Sequence, residues 1–219
     1  MRIAVLGTGA VGRTLAPAFV RLGHEVRVGT RDPAATRERE DWTLDVPLVP
    51  YGEVADAAEL VVNATNGQVS LDALSEAGAD ALAGVVLLDV ANPLDFSAGF
   101  PPTLTVKDTD SLAEQIQRAY PGARVVKALN TVNAGVMVDP KRVGDGGTTM
   151  FLAGDDAEAR ALVAELLRAL GWRDIIEFEQ LSAARGMEMW LPLWVRLMGQ
   201  LGTADFNLRI VRREIETSP

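Results

Sequence analysis

The sequence predicts an α/β fold: a Rossmann-type, doubly wound, mostly parallel sheet with a small C-terminal helical appendage. Three observations predict it. Apolar runs of strand length alternate with segments of helical period, the rhythm of a sheet wound from βαβ units. Most runs are continuous and β-branched rather than alternating, as in strands covered on both faces. The first run ends in Gly7-Thr8-Gly9-Ala10-Val11-Gly12, a glycine turn that opens a helix.

In chain order, strands are expected at residues 2–6, 25–29, 47–49, 60–64, 85–90, 124–128, 148–153 and 174–178. Helices are expected at 11–22, 72–83, 110–120 and 157–170. Gly23, Gly84, Gly122 and Gly171 each fall just past a helical stretch, where a C-terminal cap belongs. The rhythm changes near Gln180, which divides the chain into a dinucleotide-binding unit, 1–179, and a helical segment, 180–219. Residues 181–201 read as one long apolar helix, kinked by Pro192. A second short helix is expected through Phe206, before a charged tail, Arg212-Arg213-Glu214. The stripe of Met187, Met189, Trp190, Trp194 and Met198 reads as core or as a dimer contact. So apolar a helix predicts a homodimer, because alone it exposes too much surface.

Composition narrows the function. The chain has 219 residues, 48% hydrophobic and 23% charged, the balance of a globular domain. It has no cysteine, which excludes disulfides, a thiol nucleophile and cysteine metal sites, and fits a reducing cytosol. With one histidine, His24, no histidine metal site is expected. A net charge of −9 speaks against nucleic acid as a partner. No apolar run nears the ~20 residues that cross a bilayer, and the start shows no signal-peptide pattern. A cytoplasmic protein with a small-molecule or cofactor substrate is expected.

The glycine turn carries the chemistry. Gly7 permits the tight turn after the strand, Gly9 lets the backbone approach a pyrophosphate, and Gly12 lets the helix pack closely. With Thr8, Ala10 and Val11 they form the start of a dinucleotide site, and the helix N-terminus offers free N–H groups to the anion. The next strand decides which dinucleotide. An NAD site usually ends this strand in Asp or Glu. Here it ends in Thr30-Arg31, a hydroxyl and a guanidinium suited to a 2′-phosphate, so NADP(H) is expected. Arg37 or Arg39 adds charge from the following helix.

Ligands of such sheets lie beyond the C-terminal ends of the strands. Those ends carry Asn63-Ala64-Thr65, Asn92-Pro93 and Asn130-Thr131, amides and hydroxyls for the nicotinamide half. A proton donor is harder to find. His24 precedes the second strand, at the opposite pole. Tyr51 and Tyr120 are not placed near the nicotinamide. Lys127 and Asn130 are the weak catalytic candidates, and Lys127 can equally pair with Asp89 across the sheet. Reduction of a carbonyl needs a donor. Hydride transfer between two redox cofactors needs orientation above all.

These residues carry a resemblance. The chain resembles the coenzyme F420-dependent NADP oxidoreductases over nearly its whole length. The matching segments are the glycine turn, residues 22–26, Gly29-Thr30-Arg31, residues 125–131, Gly154-Asp155-Asp156, and Leu181 through Arg185 with Glu188. The resemblance implies a cleft between a dinucleotide domain and a small C-terminal part, where NADPH and coenzyme F420, or another flavin-like partner, exchange a hydride. It also implies 2′-phosphate contacts at Thr30 and Arg31. The sequence departs from the family at Ala35, near a family lysine, and at Asn130, a histidine in coenzyme F420 enzymes. The same domain type serves membrane ferric reductases as a cytosolic module. Two other readings stay open: an NADPH-dependent reductase of a small imine or carbonyl, and a non-catalytic NADPH-binding sensor.

Overall fold

The computed structural model describes residues 1–212. Its strands are β1 (Arg2–Leu6), β2 (Glu25–Thr30), β3 (Leu48–Pro50), β4 (Leu60–Asn63), β5 (Val86–Asp89), β6 (Leu94–Asp95), β7 (Thr103–Leu104), β8 (Arg124–Ala128), β9 (Thr149–Gly154) and β10 (Asp174–Phe178). Its helices are α1 (Ala10–Arg21), α2 (Pro33–Arg37), α3 (Tyr51–Val54), α4 (Ser70–Ala77), α5 (Ala79–Leu82), α6 (Leu112–Ala119), α7 (Ala134–Val138), α8 (Ala157–Ala169), α9 (Ala184–Met189) and α10 (Leu191–Leu201).

Eight strands form one sheet in the order β10-β9-β8-β5-β4-β1-β2-β3. All neighbours pair in parallel except β8 and β9, so the last two strands run against the rest. The chain leaves β1 toward β2 and β3, then crosses back to β4. That reversal beside β1 opens a crevice at the C-terminal ends of the strands.

Both faces of the sheet are covered, which is why its strands are apolar at successive positions. Ile3 and Val5 pack with Leu15, Phe19 and Val163 on one side. Ala4 and Leu6 pack with Leu74, Leu112 and Ile116 on the other. Leu181 and Ala184 join that second cluster, so the terminal segment is seated on the sheet domain. Side-chain caps set the helix starts: Asp32, Ser111 and Asp156 accept from the backbone N–H groups of Ala35, Glu114 and Ala159.

Several expectations need correction. The expected helix 72–83 is two helices, broken at Gly78. The long terminal helix is a 3-10 turn (Leu181–Ala183), then α9 and α10, divided at Trp190. Pro192 sits in the first turn of α10, where its missing N–H costs little, and not at a mid-helix kink. No second helix reaches Phe206. Residues 203–212 run without regular structure. Asn133 Nδ2 donates to Ala204 O and Asp205 Oδ1, and Asn207 Nδ2 donates to Thr149 O at 3.0 Å. Side-chain bonding to the body of the protein replaces helical bonding there. Of the charged tail, Arg213 and Glu214 lie outside the described residues.

Candidate functional site: a continuous cleft along the sheet edge

The crevice is built first by the glycine turn. Gly7 has φ +110°, and a Cβ on it would lie 2.6 Å from the Ala64 carbonyl oxygen. A Cβ on Gly12 would lie 2.0 Å from the Gly7 carbonyl oxygen, so only glycine lets α1 start this close to the turn. A Cβ on Gly9 would meet nothing within 4 Å, because that residue borders the cleft itself. No side chain caps α1 at Gly9, which leaves the first-turn N–H groups after Ala10 without a side-chain acceptor.

The end expected to take adenosine is a void of about 360 Å³ lined by Gly7, Thr8, Gly9, Arg31, Ala64 and Thr65 among others. Arg31 is exposed there, and among the described residues it forms no ion pair. Thr30 behaves differently. Its hydroxyl is buried and shares a 2.8 Å bond with the Thr36 hydroxyl, which donates to Asp32 O. Of the Thr30-Arg31 pair, therefore, only Arg31 presents its side chain to the cleft. Arg37 is turned away, donating to Leu48 O. Arg39 lies past the end of α2 and reaches the glycine turn, donating to Thr8 Oγ1 at 2.8 Å. Tyr51, Asp72 and Glu76 also line this end, which the sequence reading did not anticipate. Burial pushes the Tyr51 phenol up, Arg31 opposing and Glu76 adding.

The other end is a void of about 250 Å³ that shares Thr65 and Asn66 with the first, so the two form one cleft. Val11, Asn92 and Asn130 line it, with Phe96 from the loop after β6 and Leu191 and Trp194 from α10. Leu129 holds φ +63°, a conformation costing on the order of 1 kcal/mol for such a residue. This turn places Asn130 against Asn92. Asn130 Nδ2 donates to Asn92 Oδ1 at 2.9 Å and to Met187 O at 3.1 Å, and Asn92 Nδ2 donates to Asn130 O at 2.9 Å. On the residues lining this end, two buried atoms are left without a partner among the described residues: the acceptor Asn130 Oδ1 and the donor Trp194 Nε1. One acceptor and one donor suit a carboxamide.

Three expected contacts lie elsewhere. Pro93 accepts from the Thr105 N–H at 2.8 Å and so anchors the β6–β7 hairpin. Thr131 lines a separate, mainly apolar pocket of about 420 Å³ with Phe151, Phe178, Met189 and Trp190. Asn63 is fully buried under the cleft. It donates to Ser70 Oγ at 3.0 Å and Asp89 Oδ1 at 2.8 Å, and accepts from Thr65 Oγ1 at 2.6 Å.

Lys127, the weak acid candidate, is no donor to the cleft. Its ammonium is wholly buried, 2.8 Å from Asp89 Oδ2, 2.8 Å from Glu188 Oε1 and 2.5 Å from Ala91 O. Burial pulls this ammonium down, but Asp89 and Glu188 outweigh it and the net direction is up. Glu188 in turn accepts from the Leu112 N–H at 2.9 Å and the Ala113 N–H at 3.3 Å. It thus ties α9 to the start of α6. Its carboxyl is pushed up by burial, with Lys127 opposing and Asp89 adding. His24 sits beside the N-terminal amine, at the far end of the strands.

The sequence profile described as NADP oxidoreductase, coenzyme F420-dependent, matches residues 2–93. A crystal structure from Arthrobacter sp. FB24, described as a candidate F420-dependent NADP-reductase, is 56% identical. It covers 97% of this chain and 100% of that one, with a TM-score of 0.94. The chain belongs to the coenzyme F420-dependent NADP oxidoreductase family. Within the family, the F420-dependent NADP reductase of Methanothermobacter thermautotrophicus is 29% identical, over 96% of this chain and 94% of that protein. Metalloreductase STEAP3 of Rattus norvegicus is also 29% identical, over 88% of this chain, but the match spans only 38% of that protein. Among the described residues no helix is long and apolar enough to cross a membrane.

Proposed function

We propose that this family member is an NADP(H)-dependent oxidoreductase that passes a hydride between NADPH and coenzyme F420 or a related flavin-like acceptor. One observation carries the reading: among the described residues, none lining the nicotinamide end of the cleft is titratable. Reduction of an imine or carbonyl draws on a positioned acid. Exchange between two redox rings draws on orientation and exclusion of water.

The dinucleotide supplies the hydride when bound, and the chain's residues do the rest. The N-terminus of α1 and Arg31 hold phosphate groups. Asn130 Oδ1 and Trp194 Nε1, without partners among the described residues, would hold the carboxamide. Leu191, Trp194 and Phe96 keep water from the nicotinamide end. Residues 1–179 in this reading form the dinucleotide domain, and the segment from 180 onward covers the second ring. We place the protein in the cytoplasm as a homodimer. Leu193 and Leu201 on α10, both more than half exposed, support such a contact. Sedimentation at micromolar concentration checks it: a dimer is expected, and a monomer removes that part.

The test of the activity is spectroscopic. Mixing the protein with NADPH and coenzyme F420 is expected to bleach the deazaflavin absorbance, and NADH is expected to do so far more slowly. Tight NADPH binding with no bleaching would remove the acceptor from this reading.

A further inference from the structure

We propose that Arg39, held by Asp41 over Thr8, is the second cation of the adenosine 2′-phosphate subsite and a determinant of nucleotide preference. The inference rests on the NADP(H) reading above and decides between Arg37 and Arg39, which the sequence leaves open.

The register brings the parts together. Leu6 pairs with Gly29, and the Gly7 N–H donates to Gly29 O at 3.1 Å. Thr8 and Arg31, just past these strand ends, therefore both border the adenosine end of the cleft. Arg39 enters from the irregular segment after α2. Trp42 anchors that segment: it packs into the core, and its N–H donates to Arg39 O at 3.0 Å. Nη1 of Arg39 donates to Thr8 Oγ1 at 2.8 Å and Nη2 to Thr8 O at 3.3 Å. Nε and Nη2 grip the two oxygens of Asp41, each at 2.9 Å. Arg13, from α1, donates to the same Asp41 and to Thr8 O at 3.1 Å.

Two features mark this as more than a surface ion pair. Two guanidiniums, Arg13 and Arg39, meet at Thr8 and share Asp41, and Arg31 lines the same end of the cleft, which Asp72 and Glu76 also border. The Thr8 hydroxyl accepts from Arg39, and among the described residues it donates to nothing. Its proton is free for an acceptor in the cleft. Asp41 is the positioning residue: by taking Nε and Nη2 it aims Nη1 at Thr8. Arg37, two residues earlier, carries the same charge but donates to Leu48 O.

That difference supplies the control. Calorimetric binding of adenosine 2′,5′-bisphosphate and of 5′-AMP would be measured on the full chain, on Arg39→Ala and on Arg37→Ala. The wild type is expected to favour the bisphosphate. Arg39→Ala is expected to narrow that preference about tenfold, with 5′-AMP binding unchanged. Arg37→Ala is expected to leave it intact. If Arg39→Ala fails to fold, Arg39→Lys keeps the charge and loses the fork, and a narrowed preference is still expected. An unchanged preference in the Arg39 variant overturns the inference and leaves the NADP(H) reading standing. Equal narrowing by Arg37→Ala also overturns it, because the effect is then a general field. No preference in the wild type sinks the NADP(H) reading itself.

Discussion

The two ends of the cleft use charge in opposite ways. At the adenosine end the charges lie at the surface: Arg31 is exposed and Arg39 is more than a third exposed. Under the other end, Lys127, Asp89 and Glu188 are charged groups with no exposure beyond 1%. Exposed charges keep their hydration and remain available to a ligand, but contribute little to stability. Buried charges are costly unless every one is paired, and once paired they hold elements together. The protein thus separates binding from holding. In the proposed reading the arginines at the rim meet the anion, while the lysine beneath fixes β5, β8, α9 and, through Glu188, the start of α6, so that Asn130 keeps its place.

Breaking the buried side is expected to give the largest effect. Lys127→Leu leaves Asp89 and Glu188 facing each other without a counter-charge, and is expected to cost about 3–5 kcal/mol in urea unfolding. The pH dependence sharpens this. A carboxyl raised by burial, as Glu188 is, destabilises the fold as pH rises past its ordinary 4.5, so the cost should shrink on acidification. The wild-type ammonium is shifted up, so its contribution is fully present below 10.5 and is lost only as pH climbs through the higher folded value.

Gly12→Ala comes next. Its Cβ would overlap the Gly7 carbonyl, and a loss of about 2 kcal/mol is expected, with weakened binding of both NADPH and NADH. Arg31→Ala tests the rim alone. It is expected to weaken NADPH about tenfold, NADH little, and the unfolding midpoint not at all; equal effects on both nucleotides would contradict the assignment. The smallest effect lies away from the cleft. Arg118 beside Asp110 holds that carboxyl well below its ordinary range, at about 2. A depressed carboxyl stabilises above its unfolded value of 3.8 and loses that contribution as pH falls toward 2. Asp110→Asn should therefore cost about 0.5 kcal/mol at pH 7 and nothing near pH 2.

The same contrast explains what the sequence could reveal. Strands of the central sheet are legible because burial on both faces demands unbroken apolar runs such as Ile3 to Leu6. The glycine turn is legible because backbone geometry admits only one residue type at Gly7 and Gly12. The Lys127–Asp89 pair is half legible, since the two residues are register partners on adjacent strands. Glu188 completes the cluster through a tertiary contact that no local period signals. Helices α2 and α3 are too short to show a period. The sequence predicts a short helix through Phe206, but side-chain bonds from Asn133 and Asn207 direct the stretch after Leu201 otherwise. Thr30 misled because its residue type fits a phosphate while its position, 6% exposed, turns the hydroxyl to Thr36.

The transfer itself can be followed with a label. NADPH deuterated at the transferable nicotinamide position, mixed with the protein and coenzyme F420 in ordinary water, should deliver its deuterium to the reduced deazaflavin, with solvent protons absent from that carbon. Reduced deazaflavin without the label, or labelled nucleotide that stays unreacted while bound, would contradict direct ring-to-ring transfer in this cleft.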